Sequence, residues 1–195
     1  MNEHVTIPNG INMIIVVGPS GVGKSTLVDK AKAEFAQLFD TTTYTTRTMR
    51  KGESEGNPYH FVSENRFHEL IEQDFFVEWA HVHNKMYGTP RHQIDEAISA
   101  GRVVIMDVDV QGARTFKEKY PTAFSIFVLP PSLDELRQRI KKRDKMDGAE
   151  LDLRLENARK EIAQAKQFNI QIVNADFDLC YGQFKKIIEE ILKNR

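Results

Sequence analysis

Short uninterrupted runs of apolar residues mark the strands that the sequence predicts. Met13–Val17 reads MIIVV, residues 103–110 read VVIMDVDV, and Phe124–Leu129 reads FSIFVL. Runs this short are typical of strands buried on both faces rather than of helices. Residues 171–173 form a weaker fourth run. The pattern therefore predicts a mostly parallel sheet.

Apolar residues at helical spacing lie between these runs. We expect helices over 26–39, 93–100 and 133–143. Ser132 has the residue type of an N-cap for the last of them, and Glu135 stands in the capping-box position. Apolar positions near the C-terminus predict one more helix, packed on the sheet: Phe184, Ile187, Ile188, Ile191 and Leu192. Alternating strands and helices predict an α/β fold with its binding site at the carboxyl ends of the strands.

Two stretches depart from this alternation. Residues 75–87 alternate like half-exposed antiparallel strands, and residues 41–61 are rich in Thr, Arg, Gly and aromatic side chains. We expect a small lobe over about 43–89. Residues 137–154 are strongly charged and contain a turn at Asp147–Gly148, which predicts a helical lid. The whole chain, 1–195, is then a single domain whose core comprises about 10–42, 90–136 and 155–195.

Composition limits the classes of function. Lys and Arg (27) nearly balance Asp and Glu (28), so no overall basic field favours nucleic acid or an anionic membrane. No apolar run approaches the length of a membrane helix. The single cysteine, Cys180, cannot form an internal disulfide, and we expect it to be a buried structural thiol. The sequence therefore predicts a cytoplasmic protein with a local anion site.

A glycine-rich segment follows the first predicted strand. Residues 18–26 read GPSGVGKST and match G-x-x-x-x-G-K-[ST], the phosphate-binding P-loop. Its backbone N–H groups can cradle phosphates, Lys24 can reach the β- and γ-phosphates, and Ser25 can enter the Mg²⁺ shell. The alternative is a plain turn before a helix. The expected ATP-binding residues here are Gly18, Pro19, Ser20, Gly21, Val22, Gly23, Lys24, Ser25 and Thr26.

Two carboxylates end the second apolar run. Asp107 and Asp109 are two residues apart, so on a strand both would face the same side. We expect Asp107 to orient the metal ion, through water, together with Ser25. The alternative is a purely structural pair, which would be costly to bury without partners.

The predicted lobe carries donors suited to a monophosphate. Arg47 and Arg50 lie three residues apart, with Thr43 before them and Tyr59 after them. A solvated basic turn is the alternative. Glu78, flanked by Val77 and Trp79, is by itself either a surface position on a strand or a ligand contact.

The lobe motif resembles that of one known family. The pattern T-T-R-x-x-R-x-G-E-x-x-G-x-x-Y-x-F-V, followed by V-E-W and Y-G-T, is similar to that of guanylate kinases. The resemblance extends from Gly18 to Asn174 and implies a P-loop NTPase fold: a mostly parallel sheet flanked by helices, a small mixed β/α acceptor-binding lobe and a short helical lid. It further implies that GMP is held by Thr43, Arg47, Arg50, Tyr59, Glu78, Tyr87, Thr89 and Asp109.

The same resemblance implies roles in catalysis. The lid arginines Arg139, Arg143 and Arg154 would close over the ATP phosphates, and Asn174 would approach the adenine. With Lys24 and Arg47, the three lid arginines form the expected catalytic set. Glu78 would accept the N1–H and N2–H₂ donors of guanine, whereas adenine offers an acceptor at N1 and would be rejected.

The chain departs from the family pattern at two positions. Met49 stands between the two arginines, where proline is common in the family. We therefore expect the loop to lose more conformational entropy on ordering and to bind the acceptor less tightly. Asp144 stands where a glycine usually follows the arginine matching Arg143. Its carboxylate could pair with a lid arginine or oppose an incoming phosphate, which puts the efficiency of the lid in question.

The predicted function is transfer of the γ-phosphoryl group of MgATP to GMP, giving ADP and GDP. No general base is required, because the attacking phosphate oxygen is already anionic. The expected partners are Mg²⁺, ATP and GMP, with dGMP as an alternative acceptor, no nucleic acid and no membrane, in a monomer or a homodimer. Two other hypotheses stay open: a non-catalytic interaction module of the same fold, and a P-loop kinase for another phosphorylated acceptor such as a sugar bisphosphate.

Overall fold

The computed structural model describes residues 7–50, 52–57, 59–82, 84–144 and 147–195, with only the backbone of residues 82 and 144. Its strands are β1 (Met13–Val17), β2 (Leu38–Phe39), β3 (Tyr44–Thr45), β4 (His60–Phe61), β5 (Phe76–Val82), β6 (Lys85–Pro90), β7 (Val103–Val108), β8 (Phe124–Leu129) and β9 (Ile170–Val173). Its helices are α1 (Lys24–Glu34), α2 (Glu64–Glu72), α3 (Arg91–Ser99), α4 (Val110–Lys119), α5 (Leu133–Asp144), α6 (Ala149–Ile162) and α7 (Phe177–Lys193). A short 3₁₀ turn, Ala165–Gln167, precedes β9.

A five-stranded parallel sheet forms the centre of the molecule, in the order β2-β7-β1-β8-β9. Every residue of β1 is buried, as the continuous apolar run predicts. Ile14 and Val16 point into one core cluster, and Met13, Ile15 and Val17 into the cluster on the opposite face. Each such side chain contributes about 1.5–3 kcal/mol by burial, so the two-sided core fixes both the position and the register of β1.

Helices cover both faces of this sheet. On one face α1 and α7 pack through Leu27, Phe184 and Ile188, and on the other α3 and α4 pack through Ile94 and Phe116. The predicted C-terminal helix and the α/β fold are thereby confirmed. Cys180 in α7 is buried, as expected, and burial raises the pKa of its thiol to about 11. Among the residues that the structure describes, no helix combines the length and the hydrophobicity needed to cross a membrane.

A second, smaller sheet has the order β4-β3-β6-β5 and is mixed. Strands β3 and β4 are parallel, whereas β6 is antiparallel to both β3 and β5. The predicted antiparallel strands over 75–87 are therefore confirmed as β5 and β6. Helix α2 packs on this sheet through Phe67 and Leu70, which join Phe76 and Met86 in a separate core cluster. The lobe thus has its own hydrophobic core.

The charged segment after β8 forms two helices, α5 and α6. Ser132 caps α5 through its Oγ, which accepts from the Glu135 amide at 3.1 Å, as predicted. Between the helices the Asp147 carboxylate accepts from the Gly148 amide, and Gly148 has a φ of +66°. The predicted turn is therefore confirmed, and α6 continues to Ile162, beyond the expected end of the lid.

Two predicted elements differ markedly from their expected bounds. The helix expected over 26–39 begins at Lys24 and ends at Glu34, because Leu38 and Phe39 pair with β7 as an edge strand. The strand expected over 103–110 ends at Val108, because the Asp109 side chain caps α4 by accepting from the Gly112 amide at 2.7 Å. The sheet and the cap outweigh the local apolar pattern at these points.

Candidate active site

The P-loop curls tightly against the ends of β8 and β9. Gly18, Gly21 and Gly23 all have positive φ values, of 143°, 84° and 99°. A Cβ at Gly18 would lie 2.4 Å from the Val128 carbonyl oxygen, and one at Gly23 would lie 2.7 Å from Asn174 Nδ2. Glycine is therefore required at positions 18 and 23 both by conformation and by space.

Lys24 lies folded over this loop. Its Nζ donates to the carbonyl oxygen of Gly18 and, at 3.3 Å, to that of Pro19. Burial lowers the pKa of the Lys24 ammonium, while the carboxylates of Asp107 and Glu161 oppose that shift. The ammonium is thus held by the loop and by nearby acids.

Two cavities meet beside Ser25 and Asp107, whose Oγ and Oδ2 are 2.9 Å apart in a hydrogen bond. The first, the P-loop cavity, has a volume of about 940 Å³ and is lined by Gly18, residues 20–26, Asp107, Asp109, Arg139, Lys142, Arg143, Glu161 and Asn174. The second, the lobe cavity, measures about 640 Å³ and is lined by Ser25, Asp29, Lys32, residues 40–43, Gly56, Asn57, Tyr59, Thr89 and residues 106–108. Ser25 and Asp107 belong to both walls.

Asp107 and Asp109 both line the P-loop cavity, but they reach it differently from the expectation. Asp107 lies in β7, whereas Asp109 lies beyond the strand as the N-cap of α4. The two carboxylates are therefore brought together by the strand-to-helix turn, not by the alternation of a strand.

The lid arginines divide into two groups. Arg139 Nη1 donates to the Asn174 carbonyl oxygen at 2.9 Å, and Arg143 Nη2 donates to Ser20 Oγ at 3.1 Å. Both line the P-loop cavity. Arg154 lies on α6 with its guanidinium 3.6 Å from Glu150, and it is not among the residues that line the cavity. The structure therefore brings two of the three arginines to the P-loop.

Arg47 lies against the aromatic side chains of the lobe. Its guanidinium is 5.3 Å from the centre of the Tyr59 ring, and the Tyr59 and Tyr87 rings are 5.8 Å apart. Glu53 holds the segment by both oxygens: Oε1 accepts from Arg47 Nη2 at 2.8 Å and Oε2 from the Arg50 amide at 2.7 Å. The bond to Arg47 is the main cause that lowers the pKa of Glu53.

Glu78 and Thr89 are directly opposite in the β5–β6 pair. Thr89 Oγ1 donates to Glu78 Oε1 at 2.8 Å. Burial raises the pKa of the Glu78 carboxyl, and Asp109 raises it further. Thr89 lines the lobe cavity, while Glu78 lines a neighbouring cavity of about 390 Å³ with Trp79. Glu78 is thus a half-buried carboxylate that is bonded to a residue of the lobe cavity wall but does not itself line that cavity.

The remaining predicted positions vary in how fully they are described. Thr43 lines the lobe cavity, whereas Arg50 and Tyr87 do not. Met49 is 42% exposed. The side chain of Asp144 lies outside the described residues, so the expectation for it stays untested.

Comparison with known proteins agrees with this geometry. The family model described as guanylate kinase matches residues 10–191. The chain belongs to the guanylate kinase family. The guanylate kinase of Bdellovibrio bacteriovorus is 48% identical over 180 residues, which cover 92% of this chain and 97% of that protein. The guanylate kinase of Bordetella pertussis is 42% identical over 184 residues, covering 94% and 85% of the two chains.

A solved structure supports the same assignment. The crystal structure of guanylate kinase from Anaplasma phagocytophilum is similar with a TM-score of 0.70 and 29% identity, over 93% of this chain and 86% of that one. This member of the guanylate kinase family is an enzyme, a nucleoside monophosphate kinase that phosphorylates GMP with ATP. The hypotheses of a non-catalytic module and of a sugar-phosphate kinase are thereby set aside.

Sequence reasoning assigned no role to two acids that the structure places near the cations. Glu53 was part of the quoted family motif, and its position three residues after Arg50 was an available signal. Glu161 lies near the end of α6 and lines the P-loop cavity, where burial raises the pKa of its carboxyl. The charged helix around Glu161 did not indicate that its carboxylate would line the cavity, because only the path of α6 brings it there.

Proposed function

We propose that this enzyme transfers the γ-phosphoryl group at the wall shared by the two cavities. ATP would occupy the P-loop cavity and GMP the lobe cavity. The observation that carries the proposal is that Ser25 and Asp107 line both cavities while hydrogen-bonded to each other. The donor and acceptor phosphates would therefore meet beside these two side chains, which is the arrangement that direct transfer requires.

The transfer itself needs little covalent help from the protein. A phosphate oxygen of GMP forms the new bond to the γ-phosphorus, while the bond from that phosphorus to the β–γ bridging oxygen breaks and its electron pair leaves with ADP. Because the attacking oxygen is already anionic, no general base is assigned. The protein contributes alignment and neutralisation of charge, through P-loop amides and the catalytic set Lys24, Arg47, Arg139, Arg143 and Arg154.

The oxygen groups beside the P-loop fit a magnesium ion. Ser25 Oγ and Asp107 Oδ2 are hard oxygen donors, and Mg²⁺ prefers such donors together with water and nucleotide phosphates. Within the described ranges, no group of three or more His, Cys, Asp or Glu could hold a metal alone. We propose that Ser25 and Asp107, the latter through water, would hold Mg²⁺ with ATP, where it would neutralise charge on the β- and γ-phosphates.

The acceptor roles follow the contacts in the lobe. Arg47, Arg50, Tyr59, Tyr87 and Thr43 would hold the GMP phosphate; Glu78, Thr89 and Asp109 would hold the guanine. Arg47, Tyr59 and Tyr87 already lie together, which supports the first group. The bonded pair of Glu78 and Thr89 supports the second, because an ionised carboxylate accepts the two adjacent donors of guanine.

We further propose that the lobe, about 43–89, and the lid, about 137–154, close over the core when both nucleotides bind. The cause would be the arrival of phosphates that replace the present partners of Lys24 and Arg143. Closure would exclude water from the phosphoryl group. The other proposals are a cytoplasmic location, a monomer or homodimer, dGMP as an alternative acceptor, and no nucleic-acid or membrane partner.

The proposed assignment is tested by ADP release with MgATP and, separately, GMP, AMP, CMP and UMP. We expect turnover with GMP alone and its loss in Lys24→Ala. Lys186→Ala, an exposed lysine of α7, is the matched control and should retain turnover. Turnover with AMP equal to that with GMP, or full activity in Lys24→Ala, would refute the assignment of these residues.

A further inference from the structure

We infer that Asn174 is a positioning residue that ties the P-loop and the lid to the end of β9, rather than a reader of adenine. The inference rests on the proposed function of the P-loop cavity and deepens it. Asn174 is 5% exposed, and its backbone amide donates to the Leu129 carbonyl oxygen at 2.8 Å. That bond prolongs the β8–β9 ladder by one residue, so Asn174 is held by the sheet.

The side chain of Asn174 is committed to the P-loop. Its Nδ2 donates to the Val22 carbonyl oxygen at 2.8 Å, and the contact is buried. The carbonyl of Val22 and the N–H of Gly23 belong to one planar trans peptide and point in opposite directions. Fixing that carbonyl toward Asn174 therefore turns the Gly23 N–H to the opposite side, where it can serve as a phosphate donor.

The space around Gly23 points to the same contact. A Cβ on Gly23 would lie 2.7 Å from Asn174 Nδ2, so the amide fills the space that the glycine leaves. The lack of a side chain at position 23 and the amide at position 174 are complementary parts of one packing arrangement. The amide nitrogen of Asn174 is therefore committed to the P-loop, at the wall of the cavity that Asn174 lines.

The backbone of Asn174 also receives the lid. Arg139 Nη1 donates to the Asn174 carbonyl oxygen at 2.9 Å, and Arg139 lines the P-loop cavity. One residue thus fixes a P-loop peptide by its side chain and a lid arginine by its carbonyl. Asn174 acts on the phosphates through these two partners, which is a role different from the adenine contact that the family resemblance implies.

The test uses Mg²⁺ with inorganic tripolyphosphate, a ligand that has phosphates but no base. Calorimetric titration would compare its affinity and that of ATP in the wild type, Asn174→Ala and Asn174→Asp. Alanine removes the donor and leaves the buried Val22 carbonyl unsatisfied; aspartate adds a repelling carboxylate. We expect the affinities for both ligands to fall in parallel, by about tenfold for alanine and about a hundredfold for aspartate.

The outcomes separate the two roles. A loss of ATP affinity with unchanged tripolyphosphate affinity would overturn the positioning role in favour of adenine contact, and unchanged affinity for both would overturn it outright. Asn65→Asp, an exposed substitution on α2, controls for the added charge. Circular dichroism establishes folding, and Asn174→Ala carries the test if the aspartate variant does not fold. Because no acceptor is present, the result is independent of whether GMP is the acceptor.

Discussion

Replacing Glu78 by glutamine tests the base assignment with little change in side-chain volume. Thr89 Oγ1 donates to Glu78 Oε1 at 2.8 Å, so one oxygen already has a partner and the other is available. A carboxylate can accept both the N1–H and the N2–H₂ of guanine, whereas an amide would present its own NH₂ to one of these donors. The Glu78→Gln variant should therefore lose selectivity for GMP.

The size of the loss follows from two contributions. One hydrogen bond to a charged group is lost, worth about 1.5–3 kcal/mol, and one donor is left unsatisfied in a buried site, at about 1–3 kcal/mol. Their sum of about 2.5–6 kcal/mol lowers kcat/KM for GMP by about 10²–10⁴-fold. AMP, which the carboxylate disfavours, should gain relative to GMP.

The same variant has an opposite effect on stability. Burial raises the pKa of Glu78 in the folded protein above that in the unfolded chain. The folded state then binds more protons between the two values, so the carboxylate contributes unfavourably as the pH rises through that window. Glu78→Gln should melt at a higher temperature than the wild type at pH 7. The difference should shrink as the pH falls through that window and be lost below about pH 4.3, the ordinary pKa of glutamate.

The assay compares kcat/KM for GMP and AMP, with thermal melts at pH 7 and pH 4. Glu72→Gln, an exposed change on α2 of the same lobe, should alter neither property. Unchanged GMP selectivity in Glu78→Gln would refute the role in base recognition. A lower melting temperature at pH 7 would refute the argument that the buried charge is a net cost.

Two further predictions concern the P-loop and the acceptor loop. Gly18→Ala would set a Cβ 2.4 Å from the Val128 carbonyl oxygen, so the free energy of unfolding in urea should fall by about 1–3 kcal/mol. Gly182→Ala, in α7 with open space around it, should raise that free energy by about 0.5–1 kcal/mol. Equal effects of the two variants would contradict the packing argument. Glu53→Gln removes the carboxylate that holds Arg47, so KM for GMP should rise about tenfold while KM for ATP stays unchanged. An unchanged KM for GMP would show that Arg47 does not need the bond to Glu53.

The sheet was the most predictable part of the fold. β1 and β8 have the predicted bounds, because a strand buried on both faces must be apolar throughout and has few alternatives. The end of α1 was less predictable. Leu38 fits a helical period equally well, and only its pairing beside Val103 turns it into strand. Such long-range contacts leave no local trace in the sequence.

The site was predictable where residue types are tied to backbone geometry. The glycines and Lys24 of the P-loop follow a spacing that the phosphate cradle requires, so the sequence located them. Asp109 was placed at the cavity for a wrong reason, since it caps α4 instead of extending β7. Glu161 was not foreseen, because its position depends on the path of α6 across the core.

Two of the cations assigned to phosphate binding are bonded to the P-loop itself. Lys24 is bonded to P-loop carbonyls and Arg143 to a P-loop hydroxyl. Nucleotide phosphates must therefore replace existing hydrogen bonds. Only the difference in free energy between the new bonds and the old ones contributes to affinity. The exchange would also release the lid arginine Arg143 from its present partner. We therefore expect binding and closure to be coupled. A chain with a net charge of −1 can form an anion site without a basic surface.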